Sequence, residues 1–272
     1  MKILGILSDH RAWKSKSPAM QTAVMRRLGL EGVYLPFEVA PDQVGPAVRG
    51  LRALGIAGAN VTVPYKEAVI PFLDDLAAEA AAMGAVNTIV VRNGRLEGHN
   101  TDASGFCDAL DSAGYNPAGR TAMVFGAGGA AKAVVFALKT LGAAKIILAG
   151  RNFEKISAAA LALDVESRPF TTFANPAPGV HLAINASSVS SRLESEETAA
   201  FVYQLDFPDL GLVLDLNYGR RDNFWRDLAE KHRADFMDGL PMLAFQARRS
   251  FHLWTGLDPD PGLFLSALKE AV

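Results

Sequence analysis

Over the first hundred residues, short apolar runs alternate with stretches whose apolar positions recur three and four residues apart. Those are the spacings of strands and of half-buried helices. Residues 2–7, 33–39 and 56–63 are predicted strands. Residues 19–28 are a predicted helix, with Ser17 as N-cap, Pro18 in its first turn and Gly29 ending it. Pro41 and Asp42 open a second helix that ends near Gly55, Pro64 starts a third, and residues 77–82 are rich in helix formers. Asn93-Gly94 lies between apolar runs at 88–92 and 95–98, a hairpin signal. This alternation predicts an α/β unit on a mostly parallel sheet.

A helix over 102–113 is predicted to link this unit to a second. Residues 121–125, 145–149, 180–185 and 212–216 are short apolar strands, and 130–141 and 153–163 carry the helical period. Together they form a Rossmann-type βαβ series. Residues 187–209 are polar and Glu-rich without a clear period, which predicts loop and short helix. Helices over 241–254 and 261–271 close the chain, and the pattern holds no internal repeat or low-complexity linker. The predicted architecture is α/β, with residues 1–102 completed by 240–272 as a first domain and 103–239 as a Rossmann domain.

The 272 residues suffice for two modest domains with ample core, and 50% hydrophobic with 21% charged residues marks a globular chain. A formal net charge of −2 gives no broad drive toward nucleic acid. The single Cys107 excludes an internal disulfide and fits a reducing cytoplasm. The first seven residues are too short for a signal core, and no apolar run reaches the roughly 18 residues of a membrane helix. The expectation is a cytoplasmic protein with no nucleic-acid or membrane partner, acting as monomer or homodimer. Among the histidines, His10, His181, His232 and His252 show no metal spacing, so no metal site is expected. His99, beside Asn100, either lines a cleft or is a satisfied edge residue.

Three constellations carry chemistry. Gly126-Ala127-Gly128-Gly129-Ala130-Ala131 matches G-x-G-x-x-G/A between a predicted strand and a predicted helix. The first Gly permits the tight turn, the second lets backbone approach a pyrophosphate, and the helix N-terminus offers N–H groups to phosphate. Where an NAD site usually places an acid after the second strand, this chain has Arg151 and then Lys155. A guanidinium and an ammonium there suit the 2′-phosphate of NADP; the competing reading is a solvated pair at a helix start.

The segments 59–66 and 100–102 each set one ionisable group, Lys66 or Asp102, among neutral hydrogen-bonding side chains. Held together, such a pair transfers protons to a hydroxyl or carbonyl; the competing reading is a structural ion pair. Ser15 and Ser17 put hydroxyls at a helix N-terminus, which suits an anion such as a substrate carboxylate. For Ser17, simple capping competes. Asn60, Thr62, Asn87 and Asn100 suit substrate hydroxyls or, singly, turns and caps.

In order along the chain come Ser15-Lys16-Ser17-Pro18, Asn60-Val61-Thr62-Val63-Pro64-Tyr65-Lys66, Gly84-Ala85-Val86-Asn87-Thr88, Asn100-Thr101-Asp102, the glycine turn, Asn185-Ala186-Ser187-Ser188, and Asp238-Gly239-Leu240 through Met242-Leu243 to Gln246. This set resembles the shikimate dehydrogenase family nearly end to end. The resemblance implies NADP-dependent, reversible reduction of 3-dehydroshikimate to shikimate within aromatic amino acid biosynthesis. With a substrate domain and an NADP-binding domain, ligands are expected to meet in the cleft between them, and the loop and short helix of 187–209 are expected over the cofactor cleft. By position the resemblance implies Lys66 and Asp102 as the catalytic pair. It implies Ser15 and Ser17 on the carboxylate, Asn60, Thr62, Asn87 and Gln246 on hydroxyls, and Tyr218 as a further carboxylate or cleft contact. Gly126, Ala127, Gly128, Gly129, Ala130, Asn185, Ser187 and Gly239 fall on the cofactor, with Arg151 and Lys155 as the clamp on its phosphate.

The chain departs from the family pattern in four places. Residues 8–14, Ser-Asp-His-Arg-Ala-Trp-Lys, replace the usual Gly-x-Pro turn and His before the first motif serine, and bring positive charge and bulk beside the carboxylate site. The NADP loop reads Gly150-Arg151-Asn152, the usual Asn-Ala-Thr reads Asn185-Ala186-Ser187, and Pro241 stands where Gly is familiar. Two rivals remain at this point: a quinate or amino-shikimate dehydrogenase of the same family, and a nucleotide-binding regulator with weak catalysis.

Overall fold

The computed structural model describes residues 1–170, 177 and 179–270. The chain divides into two compact units, Met1–Gly105 with Leu243–Val272, and Phe106–Met242. In the first, β1 (Lys2–Ser8), α1 (Ser17–Arg27), β2 (Gly32–Glu38), α2 (Val44–Ala53) and β3 (Gly58–Val61) lay down three parallel strands in the order β2-β1-β3. β4 (Asp75–Leu76) and α3 (Ala78–Met83) follow, then the hairpin of β5 (Thr88–Arg92) and β6 (Arg95–His99). β5 runs antiparallel to β3 and β6, and β4 completes the six-stranded order β2-β1-β3-β5-β6-β4. The register pairs Leu7 with Val61, Asn60 with Thr88 and Thr88 with His99. The ends of β1, β3 and β6 and the start of β5 therefore share one end of the sheet. Val48 and Leu51 of α2 share a core cluster with Leu7, Val61, Ile89 and Leu96 of this sheet.

α4 (Asp102–Ser112) leads into the second unit. There β7 (Thr121–Phe125), α5 (Gly129–Thr140), β8 (Lys145–Gly150), α6 (Phe153–Leu163), β9 (Glu166–Pro169), β10 (Leu182–Asn185), α7 (Glu196–Gln204), β11 (Leu212–Asp215), α8 (Phe224–His232) and β12 (Asp235–Met237) build a second sheet. Its order is β12-β11-β10-β7-β8-β9 and every pairing is parallel. The strands β7, β10 and β11 are apolar runs because both faces are covered. The order reverses between β7 and β10, where doubly wound sheets take their ligands. Phe224 and Trp225 of α8 are fully buried, and a phenylalanine side chain so buried contributes roughly 2–3 kcal/mol.

The remaining helices are α9 (Leu240–Thr255) and α10 (Pro261–Glu270). They are built into the first unit by specific bonds. Trp254 Nε1 donates to Ile89 O at 3.0 Å, Gln21 Nε2 to Ala247 O at 3.2 Å, and Arg27 Nη2 to Glu270 Oε1 at 2.6 Å. Gly58 must be glycine because the Trp254 indole lies where a Cβ would sit.

Three local expectations change. Ser17 is not an N-cap: Lys16, in helical conformation, precedes it, and the Ser17 N–H donates to Ser15 Oγ at 3.2 Å. No helix starts at Pro64. The Lys66 carbonyl is taken by the Val86 N–H at 2.8 Å and the Tyr65 hydroxyl donates to Val39 O at 2.7 Å, so tertiary bonds hold the segment in turns. Residues 217–237, unassigned from the sequence, hold α8 and β12, with Asn223 Oδ1 capping α8 through the Trp225 N–H at 2.9 Å.

Candidate active site

At the shared end of the first sheet, Lys66 follows β3, Asn87 immediately precedes β5, and Asp102 is the first residue of α4. Lys66 Nζ lies 2.5 Å from Asp102 Oδ2, and Asn87 Nδ2 lies 2.7 Å from Asp102 Oδ1. Both carboxylate oxygens are thus engaged. The Asp102 N–H donates to Asn100 Oδ1 at 3.0 Å, and Asn100 Nδ2 donates to Ala85 O at 2.8 Å, which fixes the start of α4. The side chains of Lys66 and Asp102 are 14% and 7% exposed, so their attraction is little screened, and the lysine still reaches the surface.

Asn87 is the hinge of this arrangement. Its Nδ2 also donates to Thr101 Oγ1 at 2.9 Å, with Gln246 Oε1 further off at 3.4 Å, and its Oδ1 accepts the Thr101 N–H at 2.9 Å. Asn60 belongs to a layer beneath. Its Oδ1 accepts from Tyr34 at 2.7 Å, and its Nδ2 faces Asn87 O, Thr88 Oγ1 and Ser250 Oγ at 3.0–3.1 Å. Burial pushes the Tyr34 phenol well above its ordinary value, so it stays a donor. The sequence reading missed Tyr34, Thr88, Thr101 and Ser250. Thr88 and Thr101 lie inside the motif segments at 84–88 and 100–102, and Ser250 stands one helical turn after Gln246 on α9; Tyr34 carries no such sign.

The Thr62 and Ser17 hydroxyls make no hydrogen bond among the described residues, although Ser17 is buried. The altered segment before them forms a 3-10 helix, His10–Lys14, capped by Asp9. Arg11 grips Asp9 with two bonds of 2.8 and 2.6 Å, which hold the carboxyl well below the usual carboxylate range. The expected positive charge of this loop is therefore partly neutralised. Trp13, 67% exposed, is tethered by Nε1 to Glu38 Oε2 at 2.8 Å.

In the second unit, Gly126 has φ +135°, and a Cβ there would stand 2.8 Å from Ala186 O, so the turns after β7 and β10 meet only because it is glycine. Gly128 precedes α5 in extended conformation, and Ala131 is fully buried against the sheet. The first-turn N–H groups of α5 are left for an anion. Arg151 and Lys155 are exposed and make no ion pair among the described residues. A cradle that a side chain would fill, free helix N–H groups and two unpaired cations fit a dinucleotide with a 2′-phosphate. Asn185 is fully buried, and its Oδ1 accepts the N–H and hydroxyl of Ser187 at 3.0 and 2.7 Å. At Gly239 a Cβ would stand 2.1 Å from Leu216 O. Tyr218 follows β11, half-buried in this unit.

Residues 10–89 match the shikimate dehydrogenase substrate binding domain, and 239–269 match the shikimate 5′-dehydrogenase C-terminal domain. The shikimate dehydrogenase (NADP(+)) of Moorella thermoacetica is 38% identical over 98% of this chain and 92% of its own. That of Desulforamulus reducens is 39% identical over 95% and 91%. The chain belongs to the shikimate dehydrogenase family. The crystal structure of the Thermus thermophilus shikimate 5-dehydrogenase, solved in complex with NADP(H) and shikimate, superposes with a TM-score of 0.87 at 34% identity over the whole of both chains. The shikimate dehydrogenase fold thus accounts for both sheets, including the Rossmann-type one. Among the described residues no cluster could hold a metal ion, and no helix is long and apolar enough to cross a membrane.

Proposed function

We infer that the chain catalyses the reversible NADP-dependent reduction of 3-dehydroshikimate to shikimate, a step of aromatic amino acid biosynthesis. The observation that carries this reading is an ammonium seated on a doubly held carboxylate, in a chain whose full-length relatives bear that activity by name. NADPH, when bound, supplies the hydride. The chain's own groups manage the proton and the charge. Lys66 has three N–H donors and gives one to Asp102, which leaves two for the carbonyl oxygen as negative charge grows on it. Lys66 donates the proton in reduction and takes it back in oxidation. Asp102, with Asn87 on Oδ1 and Lys66 on Oδ2, orients the lysine and accepts from a neighbouring substrate hydroxyl.

Ser15, Ser17 and the positive end of α1 take the substrate carboxylate. Thr62 brings an unused hydroxyl to the ring, and Gln246 and Asn87 border the same pair. Asn60 acts from below, through Asn87. Tyr218 serves as a further carboxylate contact. Gly126 to Ala130, Asn185, Ser187 and Gly239 serve the dinucleotide, and Arg151 with Lys155 selects NADP over NAD. The substrate belongs to the first unit and the dinucleotide to the second, in a cytoplasmic monomer or homodimer.

The test mixes the purified protein with shikimate or quinate, each with NADP or NAD, and follows absorbance of the reduced cofactor. Fast reduction with shikimate and NADP is expected. Lys66→Ala should lose about 10²- to 10⁴-fold in turnover with NADPH binding intact. Absence of reduction with every pair would overturn the reading. Preference for quinate would shift substrate choice to the altered 8–14 segment.

A further inference from the structure

The second unit buries a carboxylate that the chemistry above leaves unused. Asp215 ends β11, an otherwise apolar strand, and is fully buried. No cation faces it among the described residues; neutral donors converge on it instead. Oδ1 accepts from Asn185 Nδ2 at 2.8 Å, the Asn217 N–H at 3.0 Å and Asn217 Nδ2 at 3.1 Å, and Oδ2 accepts from Asn223 Nδ2 at 2.8 Å. Only a carboxylate offers acceptors on both sides; an amide would turn an N–H toward an N–H.

The three asparagines pass this anchorage outward. Asn185 Oδ1 fixes Ser187, and its Nδ2 also donates to Val189 O at 3.0 Å. Asn217 Nδ2 reaches Ser187 O and Ser190 Oγ, each at 2.9 Å, and Asn217 O accepts the Gly239 N–H at 3.0 Å. Asn223 holds the start of α8. One buried charge therefore ties the loop after β10 to the loop after β11. A clip outside repeats the tie: Glu194 accepts the Ser190 and Ser191 N–H groups at 2.7 and 3.1 Å and pairs with Arg220, which donates to Tyr218 O at 2.9 Å.

We propose that Asp215 is a positioning residue for hydride transfer: through Asn185 and Asn217 it sets the loops that carry Ser187 and Tyr218, without touching either ligand. This rests on the reading above that Ser187 and Gly239 serve the dinucleotide and Tyr218 the substrate. Two full-length variants test it. Asp215→Asn breaks the hub, and Asn217→Ala removes the half-buried link outward while leaving β11 intact. Three quantities are read: shikimate-NADP kinetics per folded molecule, NADPH affinity by fluorescence titration, and amide hydrogen exchange at 186–190.

Both variants should lose about tenfold or more in kcat. NADPH affinity should fall less than kcat does, because the α5 turn, Arg151 and Lys155 are untouched and only the contacts of Ser187 and Gly239 loosen. Exchange at 187–190 should quicken by about tenfold or more with the melting point of Asn217→Ala near that of wild type. Unchanged kcat with unchanged exchange in Asn217→Ala, or losses that merely follow the unfolded fraction, would overturn the proposal. Should the wild type fail to oxidise shikimate, the proposed function falls, and the exchange data alone then decide whether Asp215 sets these loops.

Discussion

Gly239 has no room for a methyl group. Its Cβ would stand 2.1 Å from a backbone oxygen, that of Leu216, and backbone cannot swing aside as a long side chain can. Gly239→Ala should cost about 1–3 kcal/mol, read as a lowered denaturant midpoint with an unchanged slope. The proposed function places Gly239 on the cofactor; the close approach of Leu216 O is a packing reason for glycine independent of any ligand. Asn60 makes the opposite case. An asparagine near a strand end is equally a substrate ligand or a structural amide, and the four partners around it give it a structural role that needs no ligand.

At the scale of elements, the β5–β6 hairpin carries a buried titratable group. His99 ends β6, and its Nε2 is buried without a hydrogen-bond partner among the described residues, 3.7 Å from Glu97 Oε2. Burial holds the imidazole below its usual value, against the pull of Glu97. The unfolded chain takes up its proton near pH 6.5, before the folded chain does. Stability is therefore full above that pH, falls as pH drops through it, and levels off once the folded form protonates. Urea midpoints at pH 7.5 and 5.5 should differ more for the wild type than for His99→Gln; equal differences would remove His99 from the acid response.

The hairpin was legible because Asn-Gly at 93–94 allows few other turns. The same holds for α5, which follows a glycine turn, and for α6, capped by Asn152. The segment after Pro64 was not legible: proline favours a first helical turn, and the bonds that forbid one come from Val86 and Val39, distant in sequence. Likewise Lys66 and Asp102 stand out by type and spacing, whereas Tyr34 and Asp215 acquire their roles from neighbours that the fold brings. An acid ending an apolar strand was the one local sign of Asp215.

At the scale of the whole molecule, the first unit is discontinuous in sequence. Gln246 and Ser250 reach Asn87 and Asn60 from α9, and Trp254 fills the place that Gly58 leaves open. Ending the chain at residue 242 should leave the first unit without protection while the second keeps its own sheet and core. Limited proteolysis followed by mass spectrometry should return a resistant fragment near 106–242; rapid loss of both units would show that the second does not stand alone.

The interruption also imposes an order of assembly. On the ribosome, residues 1–105 emerge first, yet their polar layer of Tyr34, Asn60 and Thr88 lacks the Ser250 hydroxyl until all of residues 106–242 have been made. The first unit is therefore complete in sequence only after the whole of the second has been made. The polar layer beneath Asn87 is completed only once α9 has been made.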